Sequence, residues 1–270
     1  MREDPLNFWR MMVAKAVPKE KPVGPFWRYY GGKWRAAPRY PAPECGTIVE
    51  PFAGAAGYAC RYSGRRVILV DASPIIAGIW RYLIGASSAE ILAIPDIPEG
   101  GTVDDLPVCQ EARWLAGFWL NTATSSPCKT PTARGRGDMV IDGVTKWAWG
   151  QQARDRISRD VDRIRHWQII EGDYTSAPDV EATWFIDAPY QTAAGRRYKE
   201  QPGDFAALGA WTMKRQGQVI ACDQDGADWL PWTSSMQHKA TAGKKRLGTS
   251  AEVVYHRSLF SQPCVLQERL

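Results

Sequence analysis

The chain is poor in histidine, with three in 270 residues, and its six cysteines are scattered with no CxxC pair. Without paired soft ligands no structural metal is expected, and a long chain with scattered cysteines reads as cytoplasmic with reduced thiols. No apolar run approaches the roughly 18 residues that a membrane span needs, so no membrane partner is expected. The start, Met1-Arg2-Glu3-Asp4, leads into no apolar segment of the kind a secretory signal carries. An acidic excess is also missing: 34 Lys and Arg face 29 Asp and Glu, a net charge of +5. What is abundant is tryptophan, with 13 residues, and the 44% hydrophobic and 23% charged fractions are those of a folded globular chain. Positive charge together with many tryptophans suits a polyanionic partner.

Periodicity organises the chain. Residues 7–17 have the spacing of a short amphipathic helix. Thr47–Glu50 reads as a strand, and the small residues from Pro51 to Gly57 open a helix of about two turns ending near Gly64. Val67-Ile68-Leu69-Val70 is a continuous apolar strand, the kind buried on both faces of a parallel sheet, and it ends in Asp71. Ser73-Pro74 pairs an N-cap with proline at the first helical position, predicting a helix to about Ile84. Further helical patterns cover 108–121, 151–167 and 204–216; strand patterns cover 167–170, 183–186, 218–222 and Glu252–Tyr255. The alternation predicts an α/β fold with a parallel, Rossmann-like sheet and helices on both faces. Residues 86–166 differ from their flanks. The stretch 122–143 is a long Thr/Ser/Pro/Gly/Arg-rich loop, and 129–165 holds nine basic and five acidic residues. We read 86–166 as a mainly helical and loop insertion in a core domain made of 1–85 and 167–270. A monomer is the favoured state.

Two motifs carry chemistry. In Glu50-Pro51-Phe52-Ala53-Gly54-Ala55-Ala56-Gly57, small residues directly after a strand let the backbone approach a ligand. Asp71 closes the next strand, where an acid suits the hydroxyls of a ribose. Alone, such a turn and such an acid read more readily as an ordinary tight turn and a solvated strand-end acid. The second motif, Asp187-Ala188-Pro189-Tyr190, sets a carboxylate, a fixed turn and an aromatic ring at the C-terminal end of an apolar strand, the edge at which open α/β sheets bind ligands.

Taken together and in this order, the motifs resemble the Dam-like group (the alpha group, D12 class) of DNA adenine-N6 methyltransferases, over most of the chain. Phe26-Trp27-Arg28-Tyr29-Tyr30-Gly31-Gly32-Lys33 is similar to the family's N-terminal aromatic-x-Gly-Gly-Lys motif, Glu50 to Gly54 to its cofactor loop, Gly172-Asp173-Tyr174 to its Asp-aromatic element, and Asp187 to Tyr190 to its Asp-Pro-Pro-Tyr. The resemblance implies S-adenosylmethionine as cofactor, held by Tyr29, Lys33, Glu50, Pro51, Phe52, Gly54, Asp71, Asp173, Tyr174 and Asp187. It implies catalysis by Asp187, Ala188, Pro189 and Tyr190: the Asp187 carboxylate and the Ala188 carbonyl accept the two hydrogens of an exocyclic amine while Tyr190 stacks on the flipped base. It makes 86–166 a target-recognition insertion on double-stranded DNA. Lys129, Arg134 and Arg136 in the loop, and Lys244, Lys245 and Arg246 near the C-terminus, are the candidate DNA-backbone contacts. The arginines of 154–165 read instead as a solvated face with intrahelical ion pairs. The sequence departs from the family at Ala188, where the family has proline, and at Ala56, where it usually repeats glycine. The first leaves cytosine or an RNA base open as the amine; the two together leave open a DNA-binding module that does not turn over.

Overall fold

Alternation along the apolar strands decides which side of a sheet each side chain takes. The computed structural model describes residues 21–121, 124–130, 140–141, 144–145, 149–239 and 249–260. Seven strands form one sheet: β1 (Thr47–Glu50), β2 (Arg66–Asp71), β3 (Gln168–Glu171), β4 (Ala182–Ile186), β5 (Gly217–Gln224), β6 (Ser234–Lys239) and β7 (Thr249–Arg257). Their order is β3-β2-β1-β4-β5-β7-β6. Ile48, Val67, Leu69, Phe185, Ile220 and Cys222 point into one core, while Val49, Ile68, Val70, Trp184, Ile186, Val219 and Ala221 point into another. The central strands are thus covered on both faces, which is why they read as unbroken apolar runs.

The first core holds α1 (Pro74–Gly85), α2 (Ser88–Ala93), α3 (Gln110–Trp119) and α4 (Gln151–Val161), through Ile79, Ile91, Leu115 and Ile157 among others. The second is closed by α5 (Phe205–Met213), through Leu208, and by Trp229 and Leu230. The helices of 86–166 therefore pack into the same hydrophobic core as β1 and β2. Ser73 occupies the N-cap of α1 and Pro74 follows it, but the Ser73 side chain makes no capping bond. At the other end of α1, the Arg165 guanidinium donates to the carbonyls of Gly85 at 2.5 Å and Ala86 at 2.7 Å, satisfying groups that a helix terminus leaves open.

Several expectations change. The sheet is mixed: β1 to β5 run parallel, but β7 is antiparallel to both β5 and β6. An apolar run records burial and carries no direction. After Gly57 there is no two-turn α-helix but a single 3-10 turn, Ala59–Tyr62. Gly54 and Ala56 take φ of +44° and +45°, so the chain spends these residues on a left-handed turn instead of a helix. A short hairpin, Val140–Ile141 with Val144–Thr145, interrupts what reads as a continuous loop. α2 was not anticipated, although Ser87 and Glu90 form a capping box that spells its start. The helix expected over 7–17 lies outside the described residues. No helix among the described residues is long and apolar enough to cross a membrane.

Candidate active site

The order of the parallel strands reverses direction between β1 and β4. In open α/β sheets the crevice at the carboxyl ends of such strands is where ligands bind. A pocket opens there, and four adjacent strands each deliver a carboxylate to it: Glu50 from the end of β1, Asp71 from β2, Asp173 just past β3 and Asp187 just past β4.

The β1 loop is fixed before any ligand arrives. Asp71 accepts from the Gly54 amide and the Ser73 amide, both at 2.9 Å, tying the loop to the end of β2. Trp80 Nε1 donates to the Gly54 carbonyl at 2.8 Å. A side chain at Gly54 would meet the Tyr29 ring at 3.0 Å, so glycine is what allows Tyr29 to lie against the loop. The methyl of Ala56 does not narrow the pocket: it is buried in the first core, and the wall is made by Ala53, Gly54, Ala55 and Gly57. Glu50 is buried and accepts from the Ala59 amide at 2.6 Å. Burial pushes its carboxyl up to about 8, and burial pushes Asp71 up to about 6.

At the end of β4, Lys33 reaches across from the N-terminal motif. Its ammonium lies 2.6 Å from Asp187 Oδ1 and donates to the Tyr190 hydroxyl at 2.8 Å, below whose ring it also sits, 4.8 Å from the centroid. Burial works against a charged lysine, but Asp187 and Tyr190 hold Lys33 well above the usual range. Burial raises Asp187 as well, against the opposing pull of Lys33. Cys222 Sγ contacts Asp187 Oδ1 at 3.4 Å. Tyr190 in turn donates to Glu252 Oε2 at 2.8 Å, and the Tyr40 hydroxyl donates to Glu252 Oε1. Ala188 is buried in the second core, while Pro189 lines the pocket.

Aromatic rings complete the walls. Phe52 stacks on Tyr174 at 5.7 Å and 29°, and Tyr29 packs against Tyr198 at 6.0 Å. Asp173 is held in its turn by the Thr175 amide at 2.9 Å. Tyr29, Lys33, Glu50, Pro51, Phe52, Gly54, Asp71, Asp173, Tyr174, Asp187 and Pro189 therefore converge on one pocket. The sequence reading missed Tyr40, Tyr198, Glu200, Cys222 and Glu252. Only Glu252 carried a signal, as a lone acid heading an apolar strand.

The basic candidates fare differently. Lys129 is exposed and paired with Asp104 at 2.6 Å, while Arg134, Arg136, Lys244, Lys245 and Arg246 lie outside the described residues. On α4 and the turn after it, Arg163 pairs with Asp160 at 3.0 Å and Arg165 with Asp162 at 2.9 Å, as the ion-pair reading expects. Arg154 instead is buried and reaches Asp96 at 2.5 Å. Arg156, also on α4, departs from that reading too: it lies over Trp119 at 5.9 Å, as does Arg28 at 5.5 Å, and Arg197 lies over Tyr30 at 4.8 Å. Burial lowers the Arg28 guanidinium, and Arg156 and Arg35 lower it further.

Among the described residues no cluster of three or more His, Cys, Asp or Glu is placed to hold a metal. The chain matches no protein-family model and no curated protein. Fold and site define an α/β protein with an acid-lined pocket at the switch point of a mixed sheet.

Proposed function

We propose that the chain is an S-adenosylmethionine-dependent methyltransferase acting on the 6-amino group of adenine in double-stranded DNA, with a Rossmann-like methyltransferase sheet and with 86–166 as its target-recognition insertion. The observation that carries this reading is the charge of the pocket. Among the described residues five carboxylates line it (Glu50, Asp71, Asp173, Asp187 and Glu200) against one cation, Lys33, which is already paired with Asp187. With Glu50 neutral at pH 7, four still outnumber one. Such a wall repels the pyrophosphate of a dinucleotide and suits a sulfonium and an ammonium. The aromatic faces of Phe52, Tyr174 and Tyr29 suit an adenine ring and an adjoining methyl-bearing centre, and Asp71 suits ribose hydroxyls.

When bound, the cofactor supplies an electrophilic methyl group. The protein must make the base amine a nucleophile, because its lone pair is delocalised into the ring. Asp187 accepts one amine hydrogen, and the family resemblance gives the other to the Ala188 carbonyl; together they localise the lone pair on nitrogen. Lys33 favours the ionised form of Asp187, opposing the desolvation that raises its carboxyl. On this reading Asp187, which accepts an amine hydrogen, also takes the proton that the methylated amine releases. Arg28, Arg156 and Arg197 add positive charge beside the segment Tyr29–Lys33, which supports a phosphate backbone as partner.

The test is methyl transfer from labelled donor to unmethylated DNA, with nucleoside mass spectrometry of the product. N6-methyladenine is expected, and Asp187→Ala should lower turnover by at least about 100-fold. Full activity in Asp187→Ala sinks the mechanism. Methylation only of cytosine or of RNA, which Ala188 leaves open, overturns the adenine assignment. Binding of both ligands with no product on any nucleic acid points to a DNA-binding module.

A further inference from the structure

The reversed strand β7 has a consequence for the site. Because it runs antiparallel to β5, its N-terminal half lies at the carboxyl edge of the parallel strands, with Glu252 paired in register to Gln224 of β5 and Met236 of β6. The pocket of the four carboxylates opens at that edge. Glu252 is 6% exposed and points at the machinery instead of at solvent. It accepts from Tyr190 at 2.8 Å and from Tyr40, and its Oε2 lies 3.7 Å from the Lys33 ammonium, which is 2.6 Å from Asp187.

We propose that Glu252 is a positioning residue for the Asp187–Tyr190 pair, anchoring the Tyr190 hydroxyl and sharing the single Lys33 ammonium with Asp187. Two carboxylates and one ammonium are enclosed together, so the charge held on Asp187 depends on the charge held on Glu252. Tyr190 is fixed at both ends of its hydroxyl: it accepts from Lys33 and donates to Glu252, so turning the ring breaks two hydrogen bonds. Asp223, beside Gln224 on β5, makes its hydrogen bonds elsewhere, accepting from Trp229 Nε1 at 2.7 Å and from the Gln191 amide at 3.2 Å.

The kinetic arm of the test rests on the methyl-transfer reading; a second arm does not. Asp187 touches Lys33 and Cys222, and it is coupled electrostatically to Glu252, Tyr190, Glu50, Asp223, Tyr29, Tyr40 and Tyr198. Of these like charges, it is Glu252 that raises Asp187. In Glu252→Gln, which keeps an acceptor for Tyr190 and removes the charge, the Asp187 carboxyl should titrate at lower pH. This is read by carbon NMR on protein labelled at aspartate Cγ, with the signal assigned through Asp187→Asn. The acid limb of turnover should move down with it, while cofactor affinity measured by calorimetry stays within about twofold. Glu252→Ala, which strands two tyrosine hydroxyls, should cost about tenfold in turnover, again with cofactor affinity preserved.

An Asp187 titration that does not move in Glu252→Gln overturns the proposal. If that variant fails to fold, Glu252→Asp, which draws the charge away from Lys33, must shift Asp187 in the same direction by less, and no shift overturns the proposal equally. If the wild type methylates nothing, the methyl-transfer reading fails by itself, and the NMR titration still decides the role of Glu252.

Discussion

Two neighbouring regions hold charge in opposite ways. The pocket gathers carboxylates and fixes them with the backbone: Asp71 with the amides of Gly54 and Ser73, Glu50 with that of Ala59, Asp173 with that of Thr175. The arginine face gathers guanidiniums and lays them on rings: Arg28 and Arg156 on Trp119, Arg197 on Tyr30. Amide bonds have one geometry, so the carboxylates are set for a ligand of defined shape. Ring faces hold a guanidinium less directionally than paired amides hold a carboxylate, and on the proposed reading these arginines face the polyanion. The two regions meet in a single segment, since Arg28 adjoins Tyr29, which lies on the Gly54 loop. The proposed transfer from a sulfonium donor to a nucleic acid would draw on both regions: an acid-lined pocket for the donor and the neighbouring arginines for the polyanion.

The harshest way to break the contrast is to remove the one cation from the acidic side. In Lys33→Met, the buried Glu252 and the part-buried Asp187 are left with no ammonium between them. Leaving a buried charge unpaired costs about 3–5 kcal/mol. We expect chemical denaturation to show a loss of that order at pH 7. Asp187 and Glu252 regain neutrality by taking up protons, so part of the loss should be recovered on lowering the pH toward 5. A variant as stable as the wild type would show that Lys33 is dispensable to the pocket and would remove the basis for a charged Asp187.

Much of this contrast was legible in the sequence, and the rest was not for identifiable reasons. The strands β1 and β2, the acid Asp71 at the end of β2 and the Asp187 turn follow from local pattern, because burial on both faces leaves an unbroken apolar run that must end at a polar edge. The convergence of Lys33 with Asp187, 154 residues away, came from the order of motifs rather than from any spacing. Tyr40 and Glu252 are 212 residues apart and belong to no motif, so their contact depends wholly on where β7 enters the sheet. That entry depends on strand direction, which an apolar run does not encode. The ion pairs at Asp160–Arg163 and Asp162–Arg165 are three residues apart and readable; the pair between Arg154 and Asp96 spans a fold and is not.

A gentler perturbation works on the acidic side alone. Burial sets Asp71 at about 6, so it is ionised at pH 7.5 and protonates as the pH falls through that value. The charge and the free acceptor capacity that favour a cationic, ribose-bearing ligand are present above that pH and lost below it. Affinity for S-adenosylmethionine, measured by calorimetry, should fall by up to about tenfold per unit below pH 6, separately from any change between pH 7 and 8 as Glu50 titrates. Asp71→Asn should bind more weakly at pH 7.5 and lose this dependence. A flat wild-type profile down to pH 5 would mean that Asp71 does not face the ligand.

The smallest expected effect separates the two regions most cleanly. Each guanidinium that neutralises a phosphate adds about one to the slope of log affinity against log salt. Arg28→Ala and Arg156→Ala should each lower that slope by about one for a duplex oligonucleotide, measured by fluorescence anisotropy, and weaken binding only a few-fold at low salt. Arg81→Ala, which breaks an exposed pair with Glu171 at 3.1 Å, is the control and should leave the slope unchanged. Affinity for S-adenosylmethionine should be untouched in both arginine variants, because neither residue lines the pocket. If the slope stays constant while cofactor affinity changes, the arginines serve the pocket wall, and the division of labour between the two regions is wrong.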